Sequence, residues 1–204
     1  MTLQNRVLPT GEIVADPARG IFTGNRGCLH DDQRRLGKAR WCGWAWICCQ
    51  LDWKGVRRQV MTPRRWTELF FLDEAAALSA GHRPCAYCRR ADYRAFRAAW
   101  ENASLPGITA PEIDRILHDA RLRPDRTQRH HQARAADLPD GTFILHQGQP
   151  CLLHTRKIRT YTTTGYLAPT PLQDTEVTVM TPAPIVACLV AGYSPIFHPS
   201  AHRP

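Results

Sequence analysis

The stretch Thr67-Glu68-Leu69-Phe70-Phe71-Leu72-Asp73-Glu74-Ala75-Ala76-Ala77-Leu78-Ser79-Ala80-Gly81-His82-Arg83-Pro84-Cys85-Ala86-Tyr87-Cys88-Arg89-Arg90 decides how this chain is read. The apolar run Thr67–Leu72 predicts a short strand. Asp73 then stands where a helix N-cap belongs, Glu74–Ala80 is rich in the best helix former, and Gly81 is a stop signal. The pair Cys85 and Cys88 follows at once. Two thiolates separated by two residues reach one ion from a tight turn, so zinc needs only two further ligands from elsewhere. Pro84 stiffens the entry to that turn, and Arg83, Arg89 and Arg90 lower the thiol pKa by proximity. A redox dithiol would follow a strand and open a helix in a βαβ unit, whereas here a helix precedes the pair.

Outward from this stretch, Tyr93, Phe96, Arg97 and Trp100 recur at helical spacing and predict a helix over residues 90–102. Pro111 at the first helical position, with Ile113, Ile116 and Leu117, signals a third helix. Residues 123–136 hold no large apolar side chain and are expected as an exposed, mobile loop. Beyond them, residues 142–146, 150–154, 156–161 and 176–181 read as strands, and a last helix runs from Thr181 (N-cap) and Pro182 to Gly192. Upstream, residues 1–40 read as loop-rich, punctuated by glycines, and residues 41–61 as a β-hairpin turning at Lys54-Gly55. The expected class is α+β: a basic zinc-knuckle module with a β-hairpin and helices over residues 1–104, then a small antiparallel sheet with a covering helix over 105–204. The two regions are expected to pack as one globular unit.

No stretch of about 18 apolar residues occurs in the 204, which speaks against a membrane span. Met1–Arg6 lacks the apolar core of a signal peptide, and a cytoplasmic location is the expectation. In a reducing compartment the eight cysteines read as ligands or apolar filling rather than disulfide halves. Cys151 and Cys188, inside apolar runs, read as core. The net charge of +9 is unevenly placed: residues 1–100 carry 17 Lys and Arg against 9 Asp and Glu, while the remainder carries 10 against 9. The basic excess therefore lies with the Cys85/Cys88 turn.

Residues 68–89, with their Phe-Phe strand, alanine-rich helix and Gly-His-Arg-Pro-Cys-x-x-Cys-Arg ending, resemble the second half of the Ada-type metal-binding module. That module also occurs as a zinc-binding tail on bacterial nucleases. The resemblance implies bound zinc and an association with DNA repair or processing. In the module a first ligand pair lies upstream in a Gly-apolar-Phe-Cys-x-x-x-Cys turn. Here the matching segment is Gly20–His30, with Thr23 in place of the first cysteine and about 30 extra residues before Phe70. The resemblance thus implies a ligand set of Cys28, His30, Cys85 and Cys88, with Cys49 as the main rival and Cys42 the next. Cys48 and Cys49 point to opposite faces of a strand, so only one of them can enter a given site. The C-terminal segment is similar to small bacterial proteins and implies nothing functional.

Arg34, Arg35, Arg57, Arg58, Arg64, Arg65, Arg89 and Arg90 interleave with tryptophans. Cations beside aromatics grip a phosphate backbone and stack exposed bases, so DNA or RNA is the expected partner. The bland alternative is buried tryptophans and a solvated arginine face. No catalytic framework is legible around His118-Asp119, Asp125 or His130-His131, although histidines there could serve a metal-dependent nuclease. A zinc-stabilised protein-interaction module is the third reading.

Overall fold

A computed structural model describes residues 2–55, 59–107 and 109–204. In chain order the elements are β1 (Gln4–Val7), β2 (Ile13–Ala15), β3 (Phe22–Asn25), β4 (Ile47–Gln50), β5 (Leu69–Phe71), α1 (Glu74–Ser79), β6 (Arg83–Pro84), α2 (Arg90–Asn102) and α3 (Ala110–Arg121). There follow β7 (His131–Arg134), β8 (Phe143–His146), β9 (Gln149–His154), β10 (Lys157–Thr162), β11 (Gly165–Tyr166), β12 (Thr170–Pro171), β13 (Glu176–Val179) and α4 (Ala183–Val190). The fold is α+β, with two largely antiparallel sheets. One has the order β2-β1-β5-β3-β4-β6; the other runs β11-β10-β9-β8-β13-β7, with β12 also on β10.

Helix α1 sits where the two sheets and the helices meet, and its composition explains why. Asp73 caps it, its carboxylate accepting the Ala76 N–H at 2.9 Å. It ends in a Schellman-type closure: His82 N–H reaches Ala77 O at 2.9 Å and Gly81 N–H reaches Leu78 O at 2.8 Å. Gly81 has φ +82°, and a Cβ there would stand 2.5 Å from Arg121 Cδ, so both conformation and space require glycine. Ala75 and Ala76 pack on the seven-stranded sheet with Phe143 and Leu152. Ala77 and Ala80 pack on the six-stranded sheet with Phe22, Leu69 and Phe71. Leu78 joins Phe96, Trp100, Leu117 and Ile185 from α2, α3 and α4. A helix buried all round must be apolar or have its polar groups paired, as Glu74 is by Arg89 and Ser79 by Pro9 O, and alanine lets three layers approach it closely.

The helices over 90–102 and from Pro111 fall where the sequence places them, the third with a capping box between Thr109 and Glu112. The C-terminal strands do likewise, although α4 begins at Ala183 with Pro182 as its N-cap. Residues 1–40 carry the short strands β1, β2 and β3 and otherwise lie outside helices and strands, in keeping with a loop-rich segment. Two local expectations differ from the structure. Among the described residues the 41–61 segment forms no hairpin: β4 pairs antiparallel with β3 and parallel with β6, and Val60 and Met61 lie in a turn. Val56, Arg57 and Arg58 lie outside the described residues. Gly24 is the physical reason, since a Cβ there would sit 2.1 Å from Ile47 O, so only glycine admits β4 alongside β3. The expected loop over 123–136 contains β7, paired with β13. It is pinned by Gln128, whose side-chain amide lies 3.0 Å from Pro9 O and 2.9 Å from Ser79 O.

Candidate metal centre

Strand register builds the site. Cys48 on β4 pairs with Pro84 on β6, and Cys85 N–H donates to Cys48 O at 2.9 Å. The next residue of each strand is therefore Cys49 and Cys85. Alternation sends Cys48 inward against Ala77 and Ala80 and turns Cys49 to the other face. The chain then makes one tight turn before α2, where Arg89 N–H donates to Cys85 O at 3.1 Å, and this brings Cys88 back. The Sγ atoms of Cys49, Cys85 and Cys88 all lie within 4.8 Å of one another, and all three residues are buried. This trio could hold a metal ion.

The electrostatics of the trio are those of thiols competing for one charge. Cys85 is held far below the usual thiol range by hydrogen bonds from the Cys49 and Cys88 thiols, helped by the backbone N–H groups of Cys88 and Tyr87. The Tyr87 N–H stands 3.4 Å from Cys85 Sγ. Cys49 is pushed up by its hydrogen bonds to Cys85 and Cys88 and then by burial. At Cys88 the Cys49 contact lowers the pKa, but the Cys85 contact and burial outweigh it and the balance is upward. A divalent cation removes this competition by letting all three ionise together.

Cys28 and His30 are not part of the cluster. Thr67 Oγ1 accepts the Leu29 N–H at 2.8 Å and lies 2.7 Å from His30 Nδ1, while Nε2 faces Thr62 O at 3.2 Å. In a neutral ring the Thr67 hydroxyl donates to Nδ1 and Nε2–H donates to the carbonyl, and in either protonation state both ring nitrogens are engaged. Cys28 is exposed beside Cys42, whose Sγ lies 3.1 Å from Cys28 O. Thr23 is the direct cross-strand partner of Cys49, so the cluster's third thiol lies one strand away from the position of the missing cysteine.

The expected arginines divide by environment. Arg34, Arg35, Arg64 and Arg65 lie in turns outside the sheets, Arg34 half-buried and the others exposed; Arg35 pairs with Asp31 at 2.9 Å. Arg57 and Arg58 lie outside the described residues. Arg89 is not available to a partner: it is 2% exposed and bound to Glu74 at 2.8 Å and Asp92 at 2.9 Å. Arg90 is exposed and, with Arg94 and Arg97 at i+4 and i+7, forms one face of α2. With Ala86, Tyr93 and Glu101 they line a shallow cleft of about 420 Å³. Tyr87, 74% exposed, stands against Trp53 with ring centres 5.7 Å apart, also beside the cysteines.

Trp46 and Trp100 are buried in the core, whereas Trp44 is exposed. Trp46 is sandwiched by two buried guanidiniums, Arg26 at 3.9 Å and Arg121 at 3.7 Å from its ring centre. His82, in the motif before the cysteines, packs at 4.6 Å on Phe71, and burial holds its pKa well below the usual imidazole value. His118 and His130 stand in different surroundings. His118 lies among Trp41, Trp44 and Arg121, and His130 Nε2 faces Gln128 Oε1 at 3.1 Å. Comparison with protein-family models, with curated proteins and with solved structures returned no match for this chain.

Proposed function

We propose that this is a zinc protein that binds nucleic acid across the face carrying Cys85, Cys88 and the start of α2. Three buried soft thiolates with N–H donors trained on them suit zinc, whose Zn–S length of about 2.3 Å puts such sulfurs about 3.8 Å apart. Cys49 then takes the place that the Ada-type resemblance gives to a cysteine at Thr23. The metal fixes the Cys85–Cys88 turn, and the turn sets the direction in which α2 leaves it. In this reading the metal is scaffold rather than reagent.

The observation that carries the nucleic-acid reading is the row Arg90, Arg94 and Arg97, beginning two residues after Cys88 on a solvent-facing helix. Among the described residues, Arg97 is the one of the three with a carboxylate in an ion pair, Glu101 at 2.7 Å. Tyr87 adds an exposed ring at the edge of the same surface. Guanidiniums make bidentate phosphate contacts, and rings stack on unpaired bases.

The test is fluorescence anisotropy with labelled single-stranded DNA, duplex DNA and single-stranded RNA over a salt series. Affinity is expected to fall steeply with salt. The double substitution Arg90→Gln/Arg94→Gln should weaken binding about tenfold or more at low salt and reduce the magnitude of the log–log salt slope by about 2. Both side chains are exposed, so the fold should be unaffected. Absence of binding at low salt, or an unchanged slope in the double variant, defeats the reading.

A further inference from the structure

A second cluster of metal-ligating side chains lies away from the cysteines, in a cleft of about 660 Å³ at the end of the seven-stranded sheet. Its wall is made by Asp140, His154, Leu189, Tyr193, Phe197 and His202. His154 ends β9 and is 7% exposed; His202 closes the one-turn 3-10 helix Pro199–His202 and is exposed. The His154 Nε2 and His202 Nδ1 atoms stand 3.3 Å apart, with ring centres 5.1 Å apart and planes at 81°. The other ring nitrogen, His154 Nδ1, is buried without an aligned hydrogen-bond partner, and Asp140 Oδ2 stands 3.3 Å from it.

We infer that His154 Nε2 and His202 Nδ1 form a second binding site for a divalent cation of the zinc type, with Asp140 orienting His154 from behind. Without an ion the two rings make one long hydrogen bond at 3.3 Å, against about 2.9–3.0 Å for the commonest N–H hydrogen bonds, and the same spacing suits two ligands of one ion. Two imidazoles on one tetrahedral ion, each nitrogen about 2.0–2.1 Å from it, stand with nitrogens about 3.3 Å and ring centres about 5 Å apart. A carboxylate behind the non-ligating nitrogen is the common outer partner of a metal-bound histidine, fixing its tautomer and raising its basicity.

The surroundings hold these groups in place before any ion arrives. His154 packs on Phe197 at 4.6 Å between ring centres. Asp140 is itself fixed, since both of its oxygens accept the Thr155 N–H at 2.9 Å. The turn bearing His202 is anchored by Ser200, whose hydroxyl accepts the Tyr166 N–H at 2.8 Å. The positions on the cleft side of the ion are left to water or to a ligand entering from solvent. That arrangement differs from the buried cysteine trio, and the two sites stand or fall separately.

Cobalt(II) titrated anaerobically into the full chain distinguishes them. Thiolate coordination gives intense sulfur-to-metal charge transfer, whereas a histidine site gives only weak visible bands. The expected result is one equivalent with charge transfer and a second, weaker equivalent without it. His202→Ala should remove the second equivalent and leave the first and the melting temperature unchanged. Asp140→Asn should weaken the second about 10–100-fold. A chain that binds no second equivalent, or one that keeps it in His202→Ala, overturns the inference.

Discussion

The Cys49→Ser protein is expected to lose stoichiometric zinc and to melt well below the parent. Metal analysis of the parent should give one zinc per chain bound to sulfur, and the same analysis of Cys49→Ser, run at a temperature where the variant is still folded, should give less than about a tenth of that. The reason is the register that sets Cys49 beside Cys85. Structural zinc contributes about 10–16 kcal/mol of apparent binding free energy, expressed as folding stability because the unfolded chain has no preformed site. Losing one thiolate of three forfeits a large part of it. A loss of even about 3 kcal/mol lowers the melting temperature of a chain this size by about 6–12 °C. Cys85→Ser and Cys88→Ser should behave alike. Cys28→Ser and Cys42→Ser, at exposed positions, should keep both metal and melting temperature. His30→Ala should cost stability, because it leaves Thr67 without its partner, but keep the zinc. Zinc retained in Cys49→Ser and lost in Cys28→Ser or His30→Ala would reverse the ligand set.

What the sequence made legible here is local, and what it hid is long-range. Asp73, the alanine run and Gly81 state α1 outright, because caps and stops are decided within one turn of chain. The same is true of the helix from Arg90 and of the β8–β9 hairpin at Gln147-Gly148. The partner of β4 was not legible. Alternation shows that Cys48 and Cys49 face opposite ways, but not which face meets Cys85. That is decided by β3, reached across more than 20 residues and admitted by Gly24, a residue that by itself reads as loop. For the same reason the spacing of Cys28 and His30 resembled a ligand pair, while the third thiol came from the neighbouring strand. The arginines show a second limit. Arg89 and Arg90 are adjacent and alike in sequence, yet one is buried on Glu74 and the other faces solvent. The signal that could have separated them is Glu74 itself: an acidic residue at the start of an otherwise apolar, fully buried helix requires a buried cation.

That requirement makes Glu74→Gln the second large effect, expected to cost about 3–5 kcal/mol, read as a fall in denaturant midpoint at unchanged m-value. Both side chains of the Glu74–Arg89 pair are 1% exposed and their atoms stand 2.8 Å apart. Glu74 also accepts the Tyr193 hydroxyl at 2.5 Å and the Ile196 N–H at 3.0 Å, so three donors converge on it and both oxygens are engaged. Arg89 is desolvated, which on its own would lower its pKa, but Glu74 more than offsets this and holds it above the ordinary guanidinium value. Neutralising the carboxylate leaves the buried cation with Asp92 at 2.9 Å, a partner that is itself 35% exposed, besides Cys48 Sγ at 3.6 Å and the Phe22 ring at 4.5 Å, so the lost buried charge is only partly replaced. The exposed pair Arg97–Glu101 has the same distance class yet should be worth no more than about 0.5 kcal/mol when broken by Glu101→Gln. The double variant Glu74→Gln/Arg89→Met should recover at least about 2 kcal/mol relative to the sum of the single changes, since it removes the under-compensated charge along with its partner. A strictly additive double variant, or a Glu74→Gln protein within about 1 kcal/mol of the parent, would mean that the pair does not hold α1 against the start of α2. The consequence reaches the metal centre. Arg89 follows Cys88 directly and its N–H closes the turn on Cys85 O, so an Arg89 held by Asp92 alone loosens the turn that sets two of the three thiolates. Glu74→Gln should therefore also release zinc faster to a chelator, at a temperature where the variant is still folded, while Glu101→Gln should not.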